Sequence, residues 1–393
     1  MENTKLPWGR LTGIRPAKIA RKLFEKGLDE ASVKEKFLSF YGADDYRSTL
    51  AARIAKHELE LMEGMFEDGI SLYVGIPFCP SRCAYCSFIS FSVEKTAELM
   101  EPYLHALQKE IEYCSDFVKK YGKRIETVYI GGGTPTTLSE NQLDFLLKSL
   151  RKSFDLSEIK EFSVEAGRPD TITPEKLFVM KENGVTRISL NPQSTNPAVL
   201  KTIGRRHTTE QFYEAFRMAR SAGFNNINTD IIAGLPGESV QSFKNTVDTV
   251  IALNPEEITV HTMSLKRASV INQNIDGYKL TSGGEVGQML SYAAERLDKF
   301  GFLPYYMYRQ RNILGGYENT GFAKPGFECL YNVYIMEEVQ SILALGAGAS
   351  TKIILPDDIE RIFNVKEPTE YIGRIDEMIE RKFKEENLWI TKP

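Results

Sequence analysis

Tyr73-Val-Gly-Ile-Pro-Phe-Cys-Pro-Ser-Arg-Cys-Ala-Tyr-Cys-Ser-Phe88 is the stretch on which the reading of this chain turns. Three of the five cysteines stand in it, Cys79, Cys83 and Cys86, at C-x3-C-x2-C spacing. The apolar run Leu72–Ile76 ahead of them reads as a buried strand, so the cysteines occupy the loop that leaves it. Three thiolates this close repel one another unless a metal centre takes up their charge. Soft thiolate ligands suit Zn, Cu(I) or an iron–sulfur cluster. Structural zinc asks for four closed ligands, and no fourth Cys or His lies nearby. Three thiolates on a cubane leave one iron open to a further ligand. The spacing alone also admits a cysteine-rich loop without metal, and zinc with a remote fourth ligand.

Outward from this loop the chain alternates. Apolar strands are expected at Leu72–Ile76, Thr127–Ile130, Glu161–Val164, Arg187–Leu190, Ile227–Ile232 and Ile258–His261. Helical patterns follow them at 97–121, 140–153, 174–183, 209–222, 239–253 and 284–300. Consecutive β-α units imply a parallel sheet, and these are too few to close a standard eight-stranded barrel. Parallel α/β folds place their sites at the C-terminal strand ends, where the polar words of this sequence fall. Helices are expected at 16–27, 32–41 and 47–65, packing as a cap. The expected division is an N-terminal helical region (1–65), a barrel (66–300) and a C-terminal substrate-covering segment (301–393). Within the last, 312–326 reads as a long loop, 328–344 as a helix, 345–350 as a turn and 372–386 as a closing helix.

Composition excludes several classes. The 393 residues carry 49 Lys plus Arg against 53 Asp plus Glu, a net charge of −4, with no basic footprint for nucleic acid. No apolar run approaches the roughly 20 residues of a membrane span. The opening Met1-Glu-Asn-Thr-Lys5 lacks a signal peptide's apolar core, and an odd cysteine count with cluster spacing favours a reducing, cytoplasmic setting. Cys114 and Cys329 stand apart and read as small buried residues. Arg15, Lys18, Arg21 and Lys22 read as a solvated helix face or an anion contact.

The cysteine spacing, with Tyr85 just before the third cysteine, resembles the radical S-adenosylmethionine (SAM) superfamily. Tyr73, Gly131-Gly-Gly-Thr-Pro135, Ser163-Val-Glu-Ala166, Asn191-Pro-Gln-Ser194 and Asp230-Ile-Ile-Ala-Gly-Leu-Pro-Gly237 are similar to the oxygen-independent coproporphyrinogen III oxidase family. Trp8–Pro16, Tyr308–Asn312 and Leu345–Ser350 resemble its HemZ-type coproporphyrinogen dehydrogenases. The resemblance covers nearly the whole chain. It implies an α/β fold, a partial (β/α)6 radical SAM barrel with an N-terminal helical extension and an α+β C-terminal segment. It implies a 4Fe–4S cluster on Cys79, Cys83 and Cys86, and one or two SAM molecules held by Tyr73, Tyr85, Gly132, Gly133, Thr134, Glu165, Gln193, Arg205 and Asp230. The implied chemistry is reductive cleavage of SAM, fed by a donor such as flavodoxin or ferredoxin. Hydrogen is then taken from the β-carbon of a coproporphyrinogen III propionate, and CO2 and one electron leave to give a vinyl group. Such a tetrapyrrole, with four carboxylates, needs cationic partners; Arg309, Arg311 and Lys324 are the candidates, with Lys266 and Arg267 beside them.

Departures from the pattern keep other functions open. The described oxidases carry a further Cys where this chain has Phe88. The heme-chaperone branch has a His-Asn-x-x-Tyr-Trp motif and a further C-terminal domain; here Tyr331-Asn332 stands without His or Trp. His207 and His261 read as structural, with His261 a possible cavity or heme-iron residue. The alternatives are a heme-binding or heme-delivery protein, and a radical SAM methyltransferase that opens heme.

Overall fold

The computed structural model describes residues 6–87, 91–384 and 389. Helices α1 (Pro16–Phe24), α2 (Glu30–Lys36) and α3 (Asp45–Met62) come first. Strands β1 (Gly69–Ile76), β2 (Arg124–Gly132), β3 (Glu161–Glu165), β4 (Arg187–Ser189), β5 (Ile227–Ala233) and β6 (Glu257–Thr262) follow. The helices between and after them are α4 (Met100–Lys120), α5 (Glu140–Ser153), α6 (Pro174–Glu182), α7 (Pro197–Thr202), α8 (Thr209–Ser221), α9 (Val240–Ala252) and α10 (Gly283–Lys299). Then come β7 (Leu303–Tyr308), β8 (Asn319–Ala323), α11 (Leu330–Glu337), β9 (Ile342–Leu345), β10 (Ser350–Ile354), β11 (Ile359–Phe363), α12 (Pro368–Gly373) and α13 (Ile375–Lys384).

The first six strands lie side by side in chain order, each parallel to the next, as the partial (β/α)6 barrel. Their Val, Ile and Leu side chains are buried together with those of the crossover helices in one core, as expected for strands covered on both faces. Ser139, Thr173, Thr208, Ser239 and Ser282 cap the helices that follow the strands, each accepting a backbone N–H of the first turn. These caps fix the residue at which each of these helices begins.

Residues after 301 extend the same sheet at both edges. The full order is β11-β10-β9-β1-β2-β3-β4-β5-β6-β8-β7. β9 pairs parallel to β1 on its outer side, so the cysteine-bearing strand is central. Two expectations fail here. Within the stretch read as a loop, 312–326, runs β8, antiparallel to β6 and β7. A Cβ at its Gly321 would fall 1.8 Å from the Tyr306 ring, so the glycine that looked like loop composition is a close crossing of two strands. The helix expected over 328–344 ends at Glu337; Glu338 takes a left-handed φ of 52° and the apolar Ile342–Leu345 run becomes β9. A short buried apolar run has no periodicity to separate helix from strand. The closing helix is broken into α12 and α13 at Arg374.

The N-terminal helices form their own core around Trp8 and Phe37, which includes Met307 of β7. Trp8 Nε1 donates to Glu318 at 2.7 Å, and Arg47 Nε donates to the same carboxylate at 3.0 Å. Three of the four basic residues of this stretch are tied down within the chain, Arg15 and Lys18 by Glu338 and Arg21 by Glu337, while Lys22 is exposed as a solvated face requires.

Candidate functional site

At the end of β1, Pro77 leads into Phe78–Cys79, which pairs in parallel with Phe91–Ser92. This closes the base of the cysteine loop. Phe78 is fully buried, edge-on to Tyr103 with centroids 5.3 Å apart. On its far side the loop is tied by Ala84 N–H to the Ile203 carbonyl (2.9 Å) and by Ile271 N–H to the Ala84 carbonyl (3.1 Å). Cys79, Cys83 and Cys86 are in no disulfide and all face one cavity of about 420 Å³ over the strand ends. Among the described residues no three His, Cys, Asp or Glu side chains converge as they would on a single metal ion. Three thiols on one cavity wall fit a cluster with one iron left open to a further ligand. The Phe88 departure lies outside the described residues.

The glycine run is zipped to the root of this loop. Gly133 N–H donates to the Ile76 carbonyl at 2.7 Å, and Thr134 N–H to the Phe78 carbonyl at 2.8 Å. A Cβ at Gly133 would lie 2.5 Å from that carbonyl and 3.1 Å from Cys79 Sγ, so only bare backbone fits. Gly132 has φ 111°, and Thr134 Oγ1 lies 3.5 Å from Cys79 Sγ.

Acidic groups line the adjoining wall. Glu165, at the end of β3, accepts a hydrogen bond from Tyr129 Oη at 2.7 Å. Burial pushes its carboxyl up to about 7, against the lowering effect of that hydroxyl. Burial also acts on Asp230, but His261 and Asn228 outweigh it and hold its carboxyl below the usual value. His261 Nε2 stands 3.5 Å from Asp230, and its Nδ1 lies 3.4 Å from the Tyr308 hydroxyl. Gln193 takes a left-handed φ of 66° and bridges to β5; its buried Oε1 has no hydrogen-bond partner.

Cations gather behind the cysteines. Arg205 Nη1 donates to the Asn191 carbonyl at 2.5 Å and its Nη2 to Tyr85 Oη at 3.3 Å, while its buried Nε has no partner. Burial works against its charge, yet Tyr85 and Cys83 keep it protonated. Arg168 Nη1 reaches Cys83 Sγ at 3.7 Å and is held by Asp170. Sequence reasoning missed Arg168, because that contact joins residues 85 positions apart. It also missed Tyr129, whose strand position opposite Tyr73 was the one available signal.

The cavity brings together Tyr85, Gly132, Gly133, Thr134, Glu165, Gln193, Arg205 and Asp230 with the three cysteines. Tyr73 is not on its wall; it stacks on Tyr129 and Tyr331, each with centroids 6.4 Å away. The three cations expected to meet substrate are not on this wall. Arg309 spends its guanidinium on the carbonyls of Leu11, Gly13 and Gly316. Arg311 is exposed and off the wall. Lys324 bonds Asn254 Oδ1 at 2.8 Å beside the first residue of β6, the end of the barrel away from the cysteines. Lys266 does line the cavity, half-buried, and among the described residues its ammonium has no hydrogen bond or ion pair. His207 is buried behind Arg205 and pushed down to about 3 by burial and that arginine, so it is neutral.

Comparison with known proteins agrees with this geometry. The radical SAM superfamily model matches residues 73–250. The oxygen-independent coproporphyrinogen-III oxidase-like protein HemZ of Bacillus subtilis is 41% identical over 382 residues, 96% of this chain and 76% of the relative. The heme chaperone HemW of Lactococcus lactis is 33% identical over 288 residues, 73% of this chain and 70% of that one. The solved structure of the Escherichia coli coproporphyrinogen III oxidase HemN, described as a radical SAM enzyme, matches with a TM-score of 0.65 at 25% identity, over 83% of this chain and 73% of that one. The superfamily implies a 4Fe–4S cluster and SAM. The residues present fit both: three thiols on one wall, a glycine shelf that a Cβ would fill, and unpartnered polar atoms of Gln193 and Arg205 beside them.

Proposed function

Since the chain belongs to the radical SAM superfamily, and within it to the oxygen-independent coproporphyrinogen III oxidase-like family, we propose that it oxidatively decarboxylates propionate side chains of coproporphyrinogen III to vinyl groups. The supporting observation is the single cavity that joins Cys79, Cys83 and Cys86 to the glycine shelf, Glu165 and the unpaired Lys266. When bound, the cluster and SAM supply a radical able to remove hydrogen from an unactivated carbon.

The chain's part is to hold, orient and exclude water. Cys79, Cys83 and Cys86 hold the cluster, and the guanidinium groups of Arg168 and Arg205 stabilise charge on Cys83. Backbone carbonyl oxygens of the Gly132–Gly133 shelf, with ionised Glu165, accept hydrogen bonds from the SAM ammonium. Gln193 and Asp230 suit its ribose hydroxyls and Arg205 Nε its carboxylate. Tyr306 and Tyr308 give the cavity a flat aromatic wall suited to a tetrapyrrole face. Lys266 pairs with a substrate carboxylate, and Gln310, Asn332 and Met336, all after residue 301, close the cavity wall beside it.

Heme binding without turnover is the second reading, favoured by the similarity to heme chaperones and by His261 on the cavity wall. Anaerobic incubation of reconstituted protein with SAM and reductant, in parallel with coproporphyrinogen III and with heme, separates these readings from each other and from a heme-degrading methyltransferase. 5′-Deoxyadenosine with a porphyrinogen lighter by two CO2 and four hydrogens supports the dehydrogenase. 5′-Deoxyadenosine with unchanged porphyrinogen but a methylated, opened heme moves the assignment to a heme-degrading methyltransferase. Stoichiometric heme binding with no 5′-deoxyadenosine moves it to the delivery protein.

A further inference from the structure

The cysteine loop has two sides. Its inner side faces the cavity; its outer side is the wall of a separate open groove of about 760 Å³. That groove runs between residues 81–82 of the loop and the stretch 197–210 that carries α7 and the start of α8. The two walls are locked: Ser81 Oγ donates to the Gly204 carbonyl at 3.4 Å, and Ala84 N–H to the Ile203 carbonyl at 2.9 Å. Between cavity and groove stands one layer of side chains. Ser81 and Arg205 line both, and Cys83, only 8% exposed, lies between Arg82 and Ala84 in that layer.

The groove is basic in an acidic chain. Arg82, Lys201 and Arg206 are exposed on it, and Arg205 adds a buried charge from behind. Two carboxylates oppose them: Glu210 on the rim, and Glu94, paired with Arg206 at 2.8 Å in the open. Three exposed cations, Arg82, Lys201 and Arg206, against Glu210 and Glu94 leave about +1 on the open face, on a chain whose net charge is −4; Arg205 is committed to Tyr85 and Cys83 behind it. An exposed, weakly paired basic patch on such a chain does little for stability but steers an anionic partner.

We propose that this groove is the docking surface for a small acidic electron-transfer protein, which delivers electrons through the Ser81–Cys83 wall. The step moves one electron: the partner's reduced centre loses it and the oxidised cluster gains it, with no bond made or broken. Weak, fast redox encounters use small, charge-guided interfaces, and the sign of this groove matches that regime. The inference rests on the cluster assignment above but not on the tetrapyrrole.

The test uses the cluster-loaded full chain and photoreduced flavodoxin as the acidic probe. Rates of cluster bleaching are followed by stopped flow, with binding of oxidised flavodoxin measured in parallel. The triple substitution Arg82→Glu, Lys201→Glu, Arg206→Glu is compared with Lys152→Glu, an exposed charge change on α5 away from the groove. The expected result is a loss of about tenfold or more in the flavodoxin rate and affinity. The remaining salt dependence flattens, while iron content and the rate with dithionite stay unchanged. An unchanged flavodoxin rate in the triple variant overturns the proposal, as does an equal loss in Lys152→Glu. Protein that reduces normally but leaves coproporphyrinogen III untouched overturns the substrate reading alone. Protein that takes up no cluster overturns both.

Discussion

Tyr129 and Glu165 stand on the adjacent strands β2 and β3, and the tyrosine hydroxyl donates to the Glu165 carboxylate across 2.7 Å. This bond aims a carboxylate with an elevated pKa at the glycine shelf, where a Cβ on Gly131 would lie 3.0 Å from it.

Glu165 accepts the ammonium of SAM only when ionised. SAM affinity therefore rises as pH passes about 7, and Tyr129→Phe moves that midpoint upward, because the hydroxyl lowers the carboxyl's pKa. The stability sign is opposite. The folded value lies above the unfolded 4.5, so this group's contribution is complete below that value and is lost as pH rises toward about 7. At about pH 8, Glu165→Gln stabilises the SAM-free protein by about 1–3 kcal/mol, reduced from the full shift because the carboxyl faces an open cavity. SAM binding is lost in the same variant. Calorimetric titration and urea unfolding measure the two effects; a variant that binds SAM normally refutes the role.

Substituting Cys79, Cys83 or Cys86 by Ala removes bound iron and its visible absorption after reconstitution. Cys114→Ala leaves both intact, since Cys114 is buried in the main core, and costs about 1–2 kcal/mol of stability. Iron analysis beside thermal unfolding separates ligand from core.

Lys266→Gln raises the apparent Kd for coproporphyrinogen III about tenfold, the loss of one charge-assisted contact. Cluster content and substrate-free SAM cleavage are retained, and Lys266→Arg recovers part of the affinity. Lys324→Gln changes none of these, because its ammonium is engaged at the other end of the barrel. Equal effects of the two substitutions would refute the assignment of Lys266.

Glu58 of α3 is fully buried against Glu337 of α11, and burial plus that neighbouring carboxylate push its pKa well above the usual value. Its contribution to stability is present at low pH and is lost as pH rises through the elevated value. Glu58→Gln keeps the shape without the charge. It raises the thermal midpoint of the protein more at about pH 9 than at about pH 6. An equal shift at both pH values would show that Glu58 does not titrate.

The chain's order of β-α units, the position of the cysteine loop and the cysteine and glycine residues of the cavity wall are written in local sequence. Buried strands announce themselves by apolar runs, and a turn that needs bare backbone announces itself as Gly131-Gly-Gly133. Contacts that depend on which distant surfaces meet have no such mark. Arg309, Arg311 and Lys324 looked alike as charges after the last barrel helix. Only the fold shows that the first bonds the N-terminal segment, the second faces solvent and the third sits at the far end of β6. The strand Ile342–Leu345 carries no periodicity of its own; its pairing with β1, 271 positions away at Ser71↔Ile342, makes it a strand. The same holds for Arg168 on Cys83 and for the basic groove behind the loop, because charge and hydrogen-bond partners are chosen by proximity in space, which the linear order of residues does not encode.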